Sequence, residues 1–204
     1  MKMSLTLSLK HAETVVAEKT ASEQLYLATK YEYQPGDYYE LTLDSVPAFV
    51  RVQLDAALSP AVVYITQSPW RYTIPVNDQV EWPYPASAFA GIGHYATVAM
   101  VTEAAVGANL AVNSHDQRAD THAYPHASAN AETRGESVFF AKNAIDGLVA
   151  NESHGNYPFQ SWGINMQEDA ELTLTFGRPV TISAIGLLLR ADYPHDSHWT
   201  SLTI

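Results

Sequence analysis

The sequence predicts an all-β protein built from antiparallel β-sandwich units, with few short helices. Many short runs alternate between apolar and polar residues, which is the period of a half-buried strand. Turn-forming clusters, such as Pro-Gly at 35–36 and Gln-Ser-Pro at 67–69, separate these runs. No stretch keeps a 3.6-residue period over the length of a full helix. Many short strands with turns between them favour sandwich architecture.

The first half of the chain contains most of the strand patterns. In MKMSLTLSLKH, polar residues occupy every second position from Ser4 to Lys10, which predicts a strand and not a signal peptide. In residues 37–45, the alternation places Tyr39 and Leu41 on one face and Glu40 on the other. Further strand patterns occupy residues 47–55, 61–66, 70–75 and 95–101.

The second half begins with shorter patterns. Residues 102–110 and 137–146 carry weak helical signals of one or two turns each. The cleanest alternation of the chain is ELTLTFG at 171–177, with Leu172, Leu174 and Phe176 predicted to point inward. Apolar runs at 180–190 and 199–204 continue this pattern.

A polar segment without a clear period, GANLAVNSHDQRAD at 107–120, marks a boundary between two units. We therefore expect an N-terminal β-sandwich-like unit over residues 1–109 and a second unit over residues 110–204. Trp70, Trp82, Tyr84 and Phe89 lie close together in a proline-rich stretch of the first unit. Rigid aromatic surfaces of this kind suit either a ligand patch or a protein interface, and we favour the interface between the two units.

Composition narrows the range of partners. The formal net charge is −11, from 11 basic and 22 acidic residues, and no Lys/Arg cluster is present. Nucleic acids and anionic membrane surfaces need clustered positive charge, so neither is expected as a partner. The 12 tyrosines and the low charged fraction of 16% suit a neutral polar ligand. The alternative is that tyrosine is simply a good strand residue.

The cellular compartment is inferred only from features that the sequence lacks. The chain has no cysteine, and no apolar run approaches the roughly 18 residues of a membrane span. With no signal peptide visible, we expect a cytoplasmic protein unless it is processed or exported by another route.

The order of motifs in the second half resembles discoidin-like domains, also called coagulation factor type C domains, which belong to the galactose-binding-like sandwiches. The motifs are the small residues at 127–130, AIDG at 144–147, Trp162, and the run from Leu172 to Ile185. The resemblance implies a galactose-binding-like jelly roll over residues 110–204. The NAIDG and SWG segments are also similar to those of uncharacterised bacterial carbohydrate-binding proteins.

Two features depart from the family pattern. The loop between Gly147 and Trp162 is long, and the sequence stops at WTSLTI, where discoidin-like domains continue with further strands. The second unit is therefore expected to be incomplete at its C-terminus. Edge strands from the first unit or from a partner chain would complete it. We accordingly expect intimate packing of the two halves and a possible homodimer.

The resemblance also implies a structural Ca²⁺ at the AIDG turn. Asn143, Asp146 and Asn151 are the candidate ligands, because hard cations prefer clustered carboxylate and carbonyl oxygens. The alternative is that Asp146 only caps its own turn. A transition-metal site is disfavoured, because the His pairs do not lie on a helix that would align them.

Two polar and aromatic loops are the candidate ligand site. Related sugar-binding modules use His, Arg, Asn and an aromatic residue on loops at one end of the sandwich. The matching candidates here are His154, Tyr157, Arg190, Asp192, His195, His198 and Trp199. The alternative is that these loops pack on one another with solvated histidines. Trp162 is expected in the core beneath the loops, although an exposed Trp could stack on a sugar face.

The motifs of common enzyme classes are absent, and no residue is assigned a catalytic role. The sequence therefore favours a non-catalytic carbohydrate-binding or accessory module that recognises a neutral glycan. One alternative is a structural or protein-interaction module that dimerises through unpaired strands. Another is a glycan-processing enzyme, or a fragment of one, whose carboxylate pair depends on geometry alone.

Overall fold

The computed structural model describes residues 4–76, 82–195, 199 and 201–204. These residues form antiparallel sheets joined by loops and four 3₁₀ helices of three to five residues, which confirms the predicted all-β class. In chain order the strands are β1 (Leu5–His11), β2 (Thr14–Ala21), β3 (Gln24–Lys30), β4 (Asp37–Leu43), β5 (Ala48–Gln53), β6 (Ala61–Ile65), β7 (Trp70–Thr73), β8 (Gly93–Val101), β9 (Ala123–Tyr124), β10 (His126–Ala129) and β11 (Leu172–Thr175). The 3₁₀ helices are Glu103–Ala105, Thr133–Gly135, Ser137–Phe139 and Ala141–Ile145.

Two sheets form the N-terminal sandwich. The first has the strand order β2-β1-β4-β7, and the second has the order β3-β8-β5-β6-β9. Alternation along each strand sends one set of side chains between the sheets. Leu7 of the first sheet and Val50 and Val52 of the second are fully buried, at 0% exposure. One continuous hydrophobic core therefore lies between these sheets.

Strands β2 and β3 are not among the strands predicted from the sequence. Among the described strands, β2 pairs only with β1. Its side chains are mostly exposed, so TVVAEKTA has little apolar patterning to detect. Its charged residues suit an edge strand, because they discourage pairing with another chain. Strand β3 pairs with β8 and buries only Leu25 and Leu27 fully.

Strand β4 is buried on both faces, which differs from the simple alternation of its sequence. Glu40 lies on the face opposite the core but is only 8% exposed. Lys10 donates a hydrogen bond to it at 2.6 Å, and Arg71 donates another at 2.8 Å. Burial opposes ionisation of Glu40, but these two cations prevail and lower its pKa. The ion pairs are what allow a carboxylate to occupy this position.

The region after residue 125 contains a much smaller sheet. Strands β10 and β11 pair over four residues, with Ala127 opposite Leu174. Behind them, Ala127, Ala141 and Ile145 form a small buried cluster. Trp162, Leu172 and Leu174 pack against this cluster and are partly buried. The inward direction predicted for Leu172 and Leu174 is therefore confirmed, although the layer that covers them is thin.

The apolar run at 180–190 does not form a strand in the structure, contrary to its sequence pattern. Ile182, Ile185, Leu187, Leu188 and Leu189 are each between 41% and 57% exposed. No strand lies beside this run among the described residues. Alternating sequence alone does not make a strand, because the backbone N–H and C=O groups also need a partner.

The segment between the two units is bound tightly to the N-terminal sandwich. His115 is 1% exposed, and its Nε2 accepts a hydrogen bond from the Leu54 amide at 3.0 Å. Gln117 exchanges hydrogen bonds with the backbone of Thr73. Strand β9 then pairs with β6 and becomes the edge of the five-stranded sheet. Chain after residue 110 thus contributes directly to the first sandwich.

Trp82 and Tyr84 of the proline-rich stretch contact the second unit, as predicted. Trp70 and Phe89 are buried in the main core. Lys142 donates a hydrogen bond to the Tyr84 hydroxyl at 3.0 Å, and its ammonium group lies over the Tyr84 ring. The Tyr157 amide also donates to the Trp82 carbonyl. No helix among the described residues has the length and apolar character to cross a membrane.

Candidate functional site

Three loops meet beside the small cluster of the second unit, and they carry most of the predicted ligand residues. The loops are residues 137–146, 151–160 and 189–195. Asn151 ties two of them together, because its Nδ2 donates to the Leu189 carbonyl at 3.0 Å and its carbonyl accepts from the Ala191 amide at 2.9 Å. Gly163 lets the first loop pack closely, since a Cβ at this position would lie 3.0 Å from the Cβ of Phe139.

Four predicted residues come together where these loops meet: His154, Arg190, Asp192 and His195, here named the polar loop cluster. His154 Nδ1 lies 2.6 Å from Asp192 Oδ2. Arg190 Nε lies 2.5 Å from Asp192 Oδ1 and donates a hydrogen bond to the His195 carbonyl at 2.9 Å. The imidazole rings of His154 and His195 meet edge to face, with centroids 5.2 Å apart. The buried Asp192 carboxylate therefore holds the His154 imidazole, and the His195 carbonyl holds the Arg190 guanidinium beside that carboxylate.

The ionisation of Asp192 organises the polar loop cluster. Burial disfavours the charged carboxyl, but the hydrogen bond from His154 and the charge of Arg190 outweigh burial and lower the pKa of Asp192. Because an ionised carboxylate can only accept hydrogen bonds, His154 Nδ1 is the donor. That arrangement leaves His154 Nε2 for another partner, and the His154 side chain is 35% exposed.

Aromatic side chains border the same loops. The Phe139 ring centroid lies 6.4 Å from that of His154. Trp199, 37% exposed, meets Trp162 edge to face at 5.8 Å between centroids. Trp162 packs on the small core and donates from Nε1 to the Ala131 carbonyl at 2.8 Å, so it has the core position predicted for it. Trp199 is the more exposed of this tryptophan pair.

Besides Trp199, which borders these loops, Tyr157 is a predicted ligand residue that lies apart from the polar loop cluster. Tyr157 is 41% exposed, and its loop is anchored on the other side by the contact between its amide and Trp82. Asn156 reinforces that anchor by accepting a hydrogen bond from the Trp82 amide at 3.1 Å. His198 lies outside the described residues.

Several polar groups of the predicted calcium ligands already have hydrogen-bond partners within the protein. Asp146 Oδ1 accepts the Leu148 amide at 2.8 Å, and Oδ2 accepts Gln160 Nε2 at 2.6 Å. Burial raises the pKa of Asp146, against the effect of these two donors. Asn151 is engaged with Leu189. The contact of Asp146 with Leu148 is the turn-capping arrangement that the sequence left as the alternative.

Two buried oxygens next to this turn have no hydrogen-bond partner. They are Asn143 Oδ1 and Gln160 Oε1. Asn143 donates from Nδ2 to the Ser137 carbonyl at 3.0 Å, which aims its oxygen elsewhere. Unpaired buried acceptors are costly, and carbonyl oxygens beside a carboxylate are what Ca²⁺ prefers. Asn143 and Gln160, and not Asn151, therefore supply the buried oxygens near the Asp146 turn that have no partner among the described residues.

Sequence reasoning missed Gln160 and Phe139. Gln160 directly precedes the SWG motif, so its neighbourhood was visible although its role was not. Phe139 lies inside a weakly helical stretch and carries no local signal of a site. Within the described part of the chain, no three or more His, Asp or Glu side chains are grouped closely enough to hold a metal ion.

Comparison with known proteins gave no match. No family model, no curated protein and no solved structure matches the chain.

Proposed function

We propose that this protein is a non-catalytic carbohydrate-binding module that recognises a neutral glycan through the polar loop cluster. The observation that supports this most is the meeting of His154 with Asp192, two residues that lie 38 positions apart in the chain. The resemblance of residues 110–204 to discoidin-like domains supports the same function, since related modules bind sugars with loops at one end of a sandwich.

Recognition of a sugar needs donors and acceptors fixed in advance, because each hydroxyl both donates and accepts. Asp192 fixes His154 and the His195 carbonyl fixes Arg190, so little side-chain entropy is lost on binding. His154 Nε2 and the Arg190 guanidinium are the groups offered to adjacent hydroxyls. Trp199 supplies an exposed aromatic face against which the apolar C–H face of a pyranose can stack.

A glycan array screened with the purified chain, followed by titration calorimetry on any hit, tests this proposal. His154→Ala and Arg190→Ala should each weaken binding about tenfold or more, since hydrogen bonds to charged or fixed polar groups contribute about 1.5–3 kcal/mol. His122→Ala is the matched control, because His122 is exposed and lies outside the cluster. A folded protein with no glycan bound on the array would contradict the proposal.

We further propose that Ca²⁺ supports these loops at Asp146, with the Asn143 and Gln160 oxygens as additional ligands. The ion would satisfy two buried acceptors that lack protein partners. Adding Ca²⁺ to chelator-treated protein should raise the thermal midpoint, by the equivalent of about 2.7 kcal/mol at 100 times the Kd. Asp146→Asn should abolish this response. A thermal midpoint that changes neither on adding Ca²⁺ nor on adding chelator would show that Asp146 only caps its turn.

A second candidate function is self-association, and the exposed apolar run at 180–190 favours it. Five large aliphatic side chains there are each at least 41% exposed, and no strand is paired with the run among the described residues. A second copy could pair with the run by adding strands edge to edge. Sedimentation velocity should then show a concentration-dependent dimer that Leu187→Ser with Leu189→Ser removes. A monomer at all concentrations would reject this candidate.

A further inference from the structure

A groove lies where the outer face of the five-stranded sheet meets the second unit. On β5 and β6, Val50, Val52 and Val63 point into the core at 0% exposure, so their neighbours point outward. Phe49 and Tyr64 are direct cross-strand partners on that outer face. Residues 106–112 form one wall, and the residues just after β11 form the other. The enclosed volume is about 370 Å³.

The floor of the groove is aromatic. The Phe49 and Tyr64 ring centroids are 4.8 Å apart, with the ring planes tilted by 46°. The guanidinium carbon of Arg178 lies 5.1 Å from the Phe49 centroid and 5.8 Å from the Tyr64 centroid. Phe176 adds a third aromatic side chain to the lining. Gly177 lets the segment after β11 pack closely on Tyr124, another lining residue, since a Cβ there would lie 2.2 Å from the Tyr124 ring.

The groove has the opposite charge to the rest of the protein. Two arginines, Arg51 and Arg178, are among its described lining residues, and no Asp or Glu is. The whole chain, by contrast, has a net charge of −11. Glu103 pairs with Arg178 at 3.0 Å and partly neutralises it. No ion pair is found for Arg51 within the described part of the chain, so Arg51 carries most of the positive potential.

From these features we infer that the groove is a second binding site, separate from the polar loop cluster, for a sugar carboxylate of the hexuronate class. A planar guanidinium fork matches a carboxylate through two parallel hydrogen bonds. The aromatic floor suits the apolar face of a sugar ring lying beside it. The volume is at the low end of small-ligand cavities, which begin near about 300 Å³, so one sugar unit or a short segment fits.

Binding in the groove follows from these placements. The ligand carboxylate is held by Arg51 on the outer face of β5, and the sugar ring lies on Phe49 and Tyr64. Arg178 is already fixed by Glu103 and the two rings, and it supports the anion at longer range. Because Arg51 is exposed, the attraction is screened by salt. The groove does not use His154 or Asp192, so it does not depend on the function proposed for the polar loop cluster.

The test is an NMR titration of the full chain with sodium glucuronate, and with glucose and glucose 6-phosphate in parallel. Glucuronate should bind and glucose should bind at least about tenfold more weakly, as expected for losing a charged hydrogen-bonded pair. Arg51→Ala should weaken glucuronate binding by a similar factor. Lys30→Ala, which removes one positive charge from the same sheet two strands away from β5, should leave it unchanged. Added NaCl should weaken binding of the wild-type protein.

The remaining outcomes each overturn the inference. Equal binding of glucose and glucuronate would show that the carboxylate is not recognised. Binding of glucose 6-phosphate without glucuronate would show a phosphate site instead. If His154→Ala abolished glucuronate binding and Arg51→Ala did not, the acidic sugar would belong to the polar loop cluster. A glycan array that shows no binding would not change the outcome of the glucuronate titration. The two proposals can therefore be rejected independently of each other.

Discussion

Strand β1 and strand β11 carry similar alternating sequences but end in different surroundings. Strand β1 has a hydrogen-bonded neighbour on each side, and Leu5, Leu7 and Leu9 are 0% exposed beneath the opposing sheet. Strand β11 pairs only with β10 among the described strands, and Leu172 and Leu174 are half-buried. The run that follows β11 has no strand partner in the described part of the chain and stays exposed.

The difference shows that the second layer, and not the strand pattern, decides how much an alternating sequence contributes to stability. In the N-terminal sandwich two sheets cover each other, so every inward leucine loses its contact with water. In the second unit the covering layer consists of short 3₁₀ helices and alanines. The well-packed unit therefore acts as the scaffold, and the thinly covered unit supplies the loops that carry the polar loop cluster.

The largest effect is expected from truncating the same side chain in each region. Leu7→Ala in the sandwich core should lower the free energy of unfolding by about 2–5 kcal/mol, because it leaves a cavity. Leu187→Ala in the exposed run should change it by no more than about 0.5 kcal/mol. Denaturant unfolding followed by circular dichroism measures both. A large loss for Leu187→Ala would mean that the run is packed, and the comparison would fail.

An intermediate effect is expected at the junction of the two regions. His115→Ala removes the acceptor of the buried Leu54 amide, which should cost about 1–3 kcal/mol for the orphaned N–H alone. His122→Asn, at an exposed position of the same segment, should cost little, because asparagine tolerates the positive φ of 64° at this residue. Equal stability of the two variants in thermal unfolding would show that the segment is not part of the sandwich.

The smallest effect is expected in the pH dependence of stability. It comes from two buried histidines whose pKa values are shifted in opposite directions. Burial lowers the pKa of His115 to about 3. The contribution of His115 to stability is therefore full above pH 6.5, the ordinary pKa of histidine, and is lost as the pH falls below 6.5. The hydrogen bond to Asp116 raises the pKa of His126, with burial opposing. Its contribution is full below pH 6.5 and is lost as pH rises through the raised pKa.

The measurement for this prediction is the stability difference between the wild-type protein and each of two variants, His126→Gln and His115→Gln. For His126→Gln the difference should be larger at about pH 6 than at about pH 8.5, and for His115→Gln it should grow as the pH rises from about 5 to 7. The same trend for both variants would contradict the opposite shifts.

The sequence predicted most of the sandwich strands, but not β2, β3 or β9, and it predicted the loops only in part. The inward faces of β4 and β5 follow directly from alternation, because successive side chains on a strand point to opposite sides. The meeting of His154 with Asp192 could be proposed only through resemblance, since no spacing rule joins residues in two separate loops. Gln160 and Arg51 carry no local signal, because their surroundings come from distant parts of the chain.

By itself the sequence determined the all-β class, the faces of the strongest strands and the acidic character of the chain. The class and the strand faces follow from local backbone geometry, and the acidic character follows from the summed composition. Only the tertiary structure decided that β9 joins the first sandwich, that the run after β11 stays unpaired, and that Arg51 faces an aromatic groove. Pairing and burial depend on which distant residues become neighbours, and one stretch of sequence does not contain that information.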